Sequence, residues 1–171
     1  QANYTELFIC FYQFIKENGY DPINGLLRRV ISAQKAYITG YALTITTAIE
    51  TILHSYYSTG KSNISSDEID FTITELDKTK IREEIKKRLI GMINNIFGQE
   101  RADDIIRNLV KDGNLEKKYY DSWKTLRNSV NHGKEPTNDF QEYLNQCETN
   151  LVFFHILILQ LIGYTGTYSD Y

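Results

Sequence analysis

The feature that most constrains this chain lies near its C-terminus. Leu144, Cys147, Leu151, Phe154, Ile158 and Leu161 recur at spacings of 3, 4, 3, 4 and 3, the seam of a packed helix. Val152, Phe153, Ile156, Leu157, Leu159 and Ile162 fill the remaining faces. A helix that is apolar all round either runs through the centre of a bundle or is covered on its outer side by a second chain. We take the second explanation for part of the surface, which predicts a homodimer. The helix is expected over Asp139–Gly163, with Thr137 or Asn138 as its N-cap after the loop at Glu135-Pro136. Its longest apolar run, Leu151–Leu159, contains His155 and is far short of the roughly 20 residues of a membrane span.

The rest of the chain can surround such a helix. Proline occurs only at positions 22 and 136, and helical periodicity recurs throughout, so the fold class is all-α. Tyr4, Leu7, Phe8, Phe11 and Ile15 mark a first helix that ends at Asn18-Gly19, and Asp21–Gly25 reads as a turn. A single long helix is expected from Leu26 to about Ser58. The β-prone stretch Thr44–Thr47 belongs to it, because the period continues on both sides and threonine hydroxyls can bond the carbonyl one turn back. The polar segment from Gly60 to about Thr79 reads as a loop with a short extended piece at Phe71–Thr74. Ile81, Ile85, Leu89, Met92 and Ile96 mark another helix, and a shorter one runs from about Gln99 to Lys111, closed by Gly113. Leu115, Tyr119, Trp123, Leu126 and Val130 are spaced 4, 4, 3 and 4. They fall within one sector of about 80° on a helical wheel, so that face is core.

The formal charge of −3 argues against a protein that coats nucleic acid through a broad basic face, though not against an enzyme that grips one or two phosphates. Between Lys111 and Lys134, six Lys and Arg residues stand against four acids, a modest excess that an ordinary solvated helix face would also show. Cys10 and Cys147 sit within apolar patterns and read as reduced core residues of a cytosolic protein. No Gly-rich phosphate loop and no Cys/His spacing for a metal is present, so neither cofactor nor metal is expected. His54 and His155 each stand among apolar neighbours and read as core or boundary histidines rather than ligands. The chain opens at Gln1 rather than methionine, which suggests the C-terminal part of a longer protein, with residues 1–25 leading into one helical domain.

The polar residues that stand out follow Trp123 at the end of its helix. Arg127 and His132 are about 140° apart and about 7.5 Å apart along the axis of a regular helix, so they do not share a face. Arg127 shares one with Asn131, and Asn128 shares one with His132. The two converge only if the helix loosens at its end, as Gly133 permits, or if partner groups arrive from another chain. At a helix C-terminus the dipole favours the imidazolium, the nearby arginine opposes it, and the histidine is poised for acid–base work. The arginine supplies a planar, permanently charged fork for a phosphate. On spacing alone, the pair could also simply cap a helix. Glu50, about 100° round from Ile49, is either a partly buried carboxylate facing the bundle or a solvated residue on its flank.

The string Arg127-Asn-Ser-Val-Asn-His132 resembles the R-x(4–6)-H motif of the HEPN superfamily, with Asn128 as the polar residue after the arginine. Ala48-Ile-Glu50 in a long early helix and the ending Leu159–Tyr171 resemble the ApeA-like branch, and the similarity runs from about Leu26 onward. The resemblance implies an up-and-down bundle of about five to six helices that dimerises through the motif helix and the C-terminal helix, so that both motifs line one cleft. It also implies a metal-independent endoribonuclease of the abortive-infection or toxin type, acting in a prokaryotic cytoplasm on tRNA or another structured RNA. An antitoxin or sensor domain would accompany it. Arg127, His132 and Asn128 would then be catalytic, Asn131 and Glu50 supporting (Glu50 as an anchor for Arg127), and Lys124 and Lys134 substrate-binding. The alternative is a non-catalytic HEPN-like module for dimerisation or for binding RNA or nucleotide.

Overall fold

The structure is a computed structural model that describes residues 3–19, 23–60, 64–97, 100–131 and 140–166, with backbone only at 96–97. Among these residues there are eight α-helices and no strand: α1 (Tyr4–Asn18), α2 (Ile23–Ala33), α3 (Ile38–Ile52), α4 (Ser66–Asp77), α5 (Glu83–Phe97), α6 (Ala102–Lys111), α7 (Lys117–Asn131) and α8 (Phe140–Leu161). A π-helical turn, Leu53–Tyr57, extends α3. The all-α class stands, with more helices than the five or six expected.

Two segments account for the difference. The long helix expected from Leu26 breaks at 34–37. There the amides of Lys35 and Ala36 reach back only three residues, to Ser32 and Ala33, and Tyr37 is extended (φ −60°, ψ 146°). The break lets α2 fold against α3, burying Ile23, Leu26 and Val30, so Ile23–Gly25 are helical rather than part of a turn. Two short helices packed on one another bury more of this stripe than one long helix could. Asp21 and Pro22 lie outside the described residues. The segment expected to be a loop at 60–79 holds α4, and its Phe71–Thr74 stretch is helical, not extended. Its start is a capping box: the Ser65 hydroxyl accepts from the Glu68 amide (3.2 Å), and the Glu68 carboxylate accepts from the Ser65 amide (3.0 Å). The threonines that favoured an extended reading donate to carbonyls one turn back, Thr72 to Glu68 and Thr74 to Asp70, each at 2.7 Å. The same bond from Thr44 to Gly40 (2.8 Å) and from buried Thr46 to Ala42 (2.9 Å) keeps the Thr44–Thr47 stretch helical in α3, as expected.

The core is built where α3 meets α7 and α8. Ile45, Ile49, Ile52 and Leu53 from α3, Trp123 and Leu126 from α7, and Phe153, Phe154 and Leu157 from α8 are essentially inaccessible. Each such side chain contributes about 1.5–3 kcal/mol on burial. The α7 stripe faces inward as its spacing requires. On α8 the buried line is Tyr143, Cys147, Asn150, Phe154 and Leu157, so Leu144 and Leu151 sit at its edge rather than on the seam. Val152, Ile156 and Leu159 are half-buried against the main core. The all-round apolarity of α8 is therefore met largely by its own chain, because the helix is central.

The outer helices bury less than their patterns suggest. On α1 the inward residues are Leu7, Cys10, Phe11 and Phe14, whereas Tyr4 and Phe8 point outward (73% and 69% exposed). On α5, Ile85 and Met92 are likewise exposed, and Ile81 precedes the helix. α4 and α5 pack on each other, tied by Lys86, whose ammonium donates to the Asp77 carbonyl (2.8 Å). Both cysteines are free thiols, Cys147 buried and Cys10 half-buried, and burial pushes the Cys147 thiol up to about 11.

His155 is half-buried beside Phe154, and burial holds its pKa below the usual 6.5. The unfolded chain therefore takes up a proton near pH 6.5 that the folded chain resists, and stability falls as pH drops below that value. Melting temperature measured from pH 7.5 to 5 should decline less steeply for His155→Gln than for wild type. Equal slopes would show that burial of this imidazole has no consequence for folding.

Candidate active site

The α3–α7 interface carries one polar crossing. Glu50, one turn after Thr46 on α3, accepts a hydrogen bond from Arg127 Nε on α7. Both side chains are about one-third exposed, Arg127 at 36% and Glu50 at 29%. Glu50 thus faces the bundle rather than open water. One turn before Arg127, the buried Trp123 ring lies under the guanidinium at 5.5 Å, a cation–π stack. Among the described residues the bond to Glu50 is the only hydrogen bond of Arg127, and its terminal amino groups make none. A guanidinium held at Nε by a carboxylate and flanked by an indole cannot swing freely, which lowers the entropy lost when an anion binds its other edge.

Arg127 forms one wall of a cavity of about 480 Å³. Glu50 and His54 line it from α3 and its π-turn, Glu100, Arg101 and Asp103 from the start of α6, and Asn95 from α5. Most of the acids are already engaged. Glu100, only 4% exposed, accepts through Oε2 from the Thr59 amide (2.7 Å), the Thr59 hydroxyl (3.2 Å) and the Ser58 hydroxyl (3.1 Å). It thereby clamps the chain leaving the π-turn to the start of α6. Asp103 pairs with Arg107 (2.6 Å) and accepts from the Tyr120 hydroxyl (3.0 Å), with Lys124 Nζ 3.6 Å away. The cavity is lined by three acids, Glu50, Glu100 and Asp103, and two bases, Arg101 and Arg127, with Arg107 and Lys124 paired to Asp103 beside it.

Of the expected site residues, Glu50 and Arg127 line this cavity. Arg127 and Glu50 meet. Asn128 and Asn131 are exposed on α7. Lys124 is exposed but occupied: its ammonium donates to the Tyr120 hydroxyl (3.0 Å) and lies 5.3 Å from that ring, contacts that hold it charged, its pKa raised first by the Tyr120 bond. His132, Gly133 and Lys134 lie outside the described residues, as do Glu135–Asp139 with the expected N-cap and helix start, and also Gly98. Sequence reasoning missed His54 as a cavity residue, Glu100 as the clamp and the group formed by Asp103, Arg107, Tyr120 and Lys124. The last had a signal, since Asp103/Arg107 and Tyr120/Lys124 are both i, i+4 pairs. Glu100 had none, because its partners are 41 and 42 residues away.

Among the described residues no group of His, Cys, Asp and Glu is placed to hold a metal ion, and no helix is long and apolar enough to cross a membrane. No curated protein and no solved structure matches the chain. The family model for Apea-like HEPN matches residues 43–168, a span that begins within α3, later than Leu26, and contains Glu50, the Arg127–His132 string and all of α8. With well over half of its length matched, and with an all-helical fold built around the α3–α7–α8 core, the chain belongs to the Apea-like HEPN family.

Proposed function

We propose that the protein is a metal-independent endoribonuclease that cuts RNA by attack of a ribose 2′-hydroxyl on the adjacent phosphate. The observation that carries this reading is Arg127, which opens the R-x4-H string and is fixed by Glu50 and Trp123 with its terminal amines facing a polar cavity. The reaction needs a base, an acid and a stabiliser for the charge on the phosphorane, and all three can be side chains. Arg127 binds the phosphate through its free edge, and His132 moves a proton. Asn128, on the same helical face as His132, orients it or the phosphate. Asn131 shares the Arg127 face and supports it, while Lys124 and Lys134 draw the RNA backbone to the site.

A two-fold homodimer that pairs α7 and α8 of both chains would bring two copies of the motif to one cleft, with one histidine as base and the other as acid. An antitoxin or sensor domain would hold such an activity in check until phage infection, with tRNA or another structured RNA as target. We expect purified protein in EDTA to cut single-stranded or looped RNA and to leave 2′,3′-cyclic phosphate ends, read by end-group analysis of the products. Binding without cutting across a range of RNAs would instead favour a non-catalytic HEPN-like binding or dimerisation module.

A further inference from the structure

Arg101 is the arginine of this cavity that no carboxylate holds. Among the described residues its guanidinium makes no hydrogen bond and no ion pair, and the side chain is exposed on the cavity wall. Three acids line the same space, and each is committed elsewhere. Glu50 holds Arg127, Asp103 pairs with Arg107 and accepts from Tyr120, and Glu100 Oε2 is turned to Ser58 and Thr59. The backbone beneath the free side chain is fixed. Glu100 before it is 4% exposed, and Ala102 after it is buried. Arg101 itself is the N-cap of α6, extended (φ −87°, ψ 148°), and its carbonyl accepts from the amides of Asp104 (2.9 Å) and Ile105 (3.0 Å). An arginine anchored by its main chain, with no side-chain partner in the fold, suits an anionic ligand.

We infer that Arg101 binds a second phosphate of the RNA, adjacent to the one that Arg127 holds, so that the cavity takes the nucleotide between them. The inference rests on the ribonuclease reading above for the identity of the ligand. Consecutive phosphates of a strand are separated by one ribose. The cavity, at about 480 Å³, falls in the roughly 300–1,000 Å³ range of small-ligand sites. Two guanidinia on the walls of a space of that size can grip both phosphates of one nucleotide. Their roles differ. Arg127 is oriented by Glu50 and Trp123, as fits the phosphate that reacts. Arg101 is steered by no side chain and has the reach of a flexible stem, as fits a phosphate that only anchors the strand. The opposing charge next to it is Glu100, whose Oε2 already accepts from one amide and two hydroxyls. An RNA phosphate therefore meets Arg101 without displacing an existing ion pair.

The test measures binding of a short 2′-O-methyl RNA, which carries the phosphates but has no 2′-hydroxyl to attack. The measurement is repeated with one neutral methylphosphonate at each linkage in turn. Because the exposed Arg101 side chain makes no hydrogen bond or ion pair in the fold, Arg101→Ala and Arg101→Lys should melt with wild type. Alanine is expected to weaken binding of the all-phosphate RNA by about tenfold, the loss of one charge-assisted hydrogen bond at an exposed site. It should also lower the slope of log Kd against log salt by about 0.7, one phosphate contact on a single strand. Lysine should keep that slope and most of the affinity. One linkage should stand out: neutralising it weakens wild type by the same factor and leaves Arg101→Ala unchanged, and Arg127→Ala should single out its neighbour. Wild-type affinity in Arg101→Ala, a loss spread evenly over all linkages, or one linkage shared by both arginines overturns the inference and leaves the ribonuclease reading intact. Wild-type protein that binds none of these RNAs overturns it too. If the coupling is found but wild type leaves the same sequence with 2′-hydroxyls uncut, the cleavage reading falls and the phosphate subsite stands.

Discussion

Arg127→Ala is expected to lower kcat for RNA cleavage by about 10²–10³-fold, the usual loss when one preorganised donor to a developing oxyanion is removed. His132→Ala should lose about 10²–10⁴-fold, as the proton-transfer group of the motif. The two differ in what else they disturb. Arg127 crosses the α3–α7 interface, so its removal leaves Glu50 without its partner next to a polar cavity. Both are partly exposed, so the loss of folding stability should be small beside the loss of rate. Arg127→Lys should not rescue, because an ammonium offers no second edge once it has met Glu50. Glu50→Gln should be milder than Arg127→Ala and should raise KM as well as lower kcat, since it frees the guanidinium to rotate. In a double-mutant cycle, Arg127→Ala and Glu50→Gln should be far from additive if Glu50 acts only through Arg127. Additive losses would assign Glu50 a role of its own, and an Arg127→Ala variant cutting at a third of the wild-type rate would remove the arginine from the mechanism.

What the sequence reveals here follows from the range over which each feature is determined. The α7 stripe of Tyr119, Trp123 and Leu126 is legible because a helical face repeats locally, and any helix with that face must bury it. The break at 34–37 is not, since no glycine or proline marks it. It is decided by how α2 and α3 pack on each other. The capping box at Ser65 and Glu68 is a local signal for the start of α4 that a reading by overall polarity passes over, and the β-prone threonines that follow it bond within the helix. For the site, the sequence draws attention to Arg127 and raises Glu50 as its anchor, yet only the crossing of α3 and α7 brings residues 77 positions apart together. His54 looked like a boundary residue because its sequence neighbours are apolar. Its spatial neighbours, from α6 and α7, are charged.

Trp123→Ala is expected to cost about 3–5 kcal/mol, read as ΔG of unfolding in urea. Against the roughly 5–15 kcal/mol typical of a domain this is a large fraction of the stability. Trp123 is 1% exposed, on the helix face that closes the core between α3 and α8, and it also carries the Arg127 guanidinium on its ring. Removing the indole opens a large void and takes away the surface that holds Arg127. Trp123→Phe separates these effects. Among the described residues the Trp123 Nε1 has no hydrogen-bond acceptor, so phenylalanine removes a buried, unpaired donor along with some volume. Its cost should be less than half that of alanine, and a ring remains beneath Arg127. If Trp123→Phe stays folded with most of its cleavage rate, the indole serves the site as a flat apolar support. If it folds well but loses activity as Arg127→Ala does, the full width of the indole is needed to hold the Arg127 guanidinium.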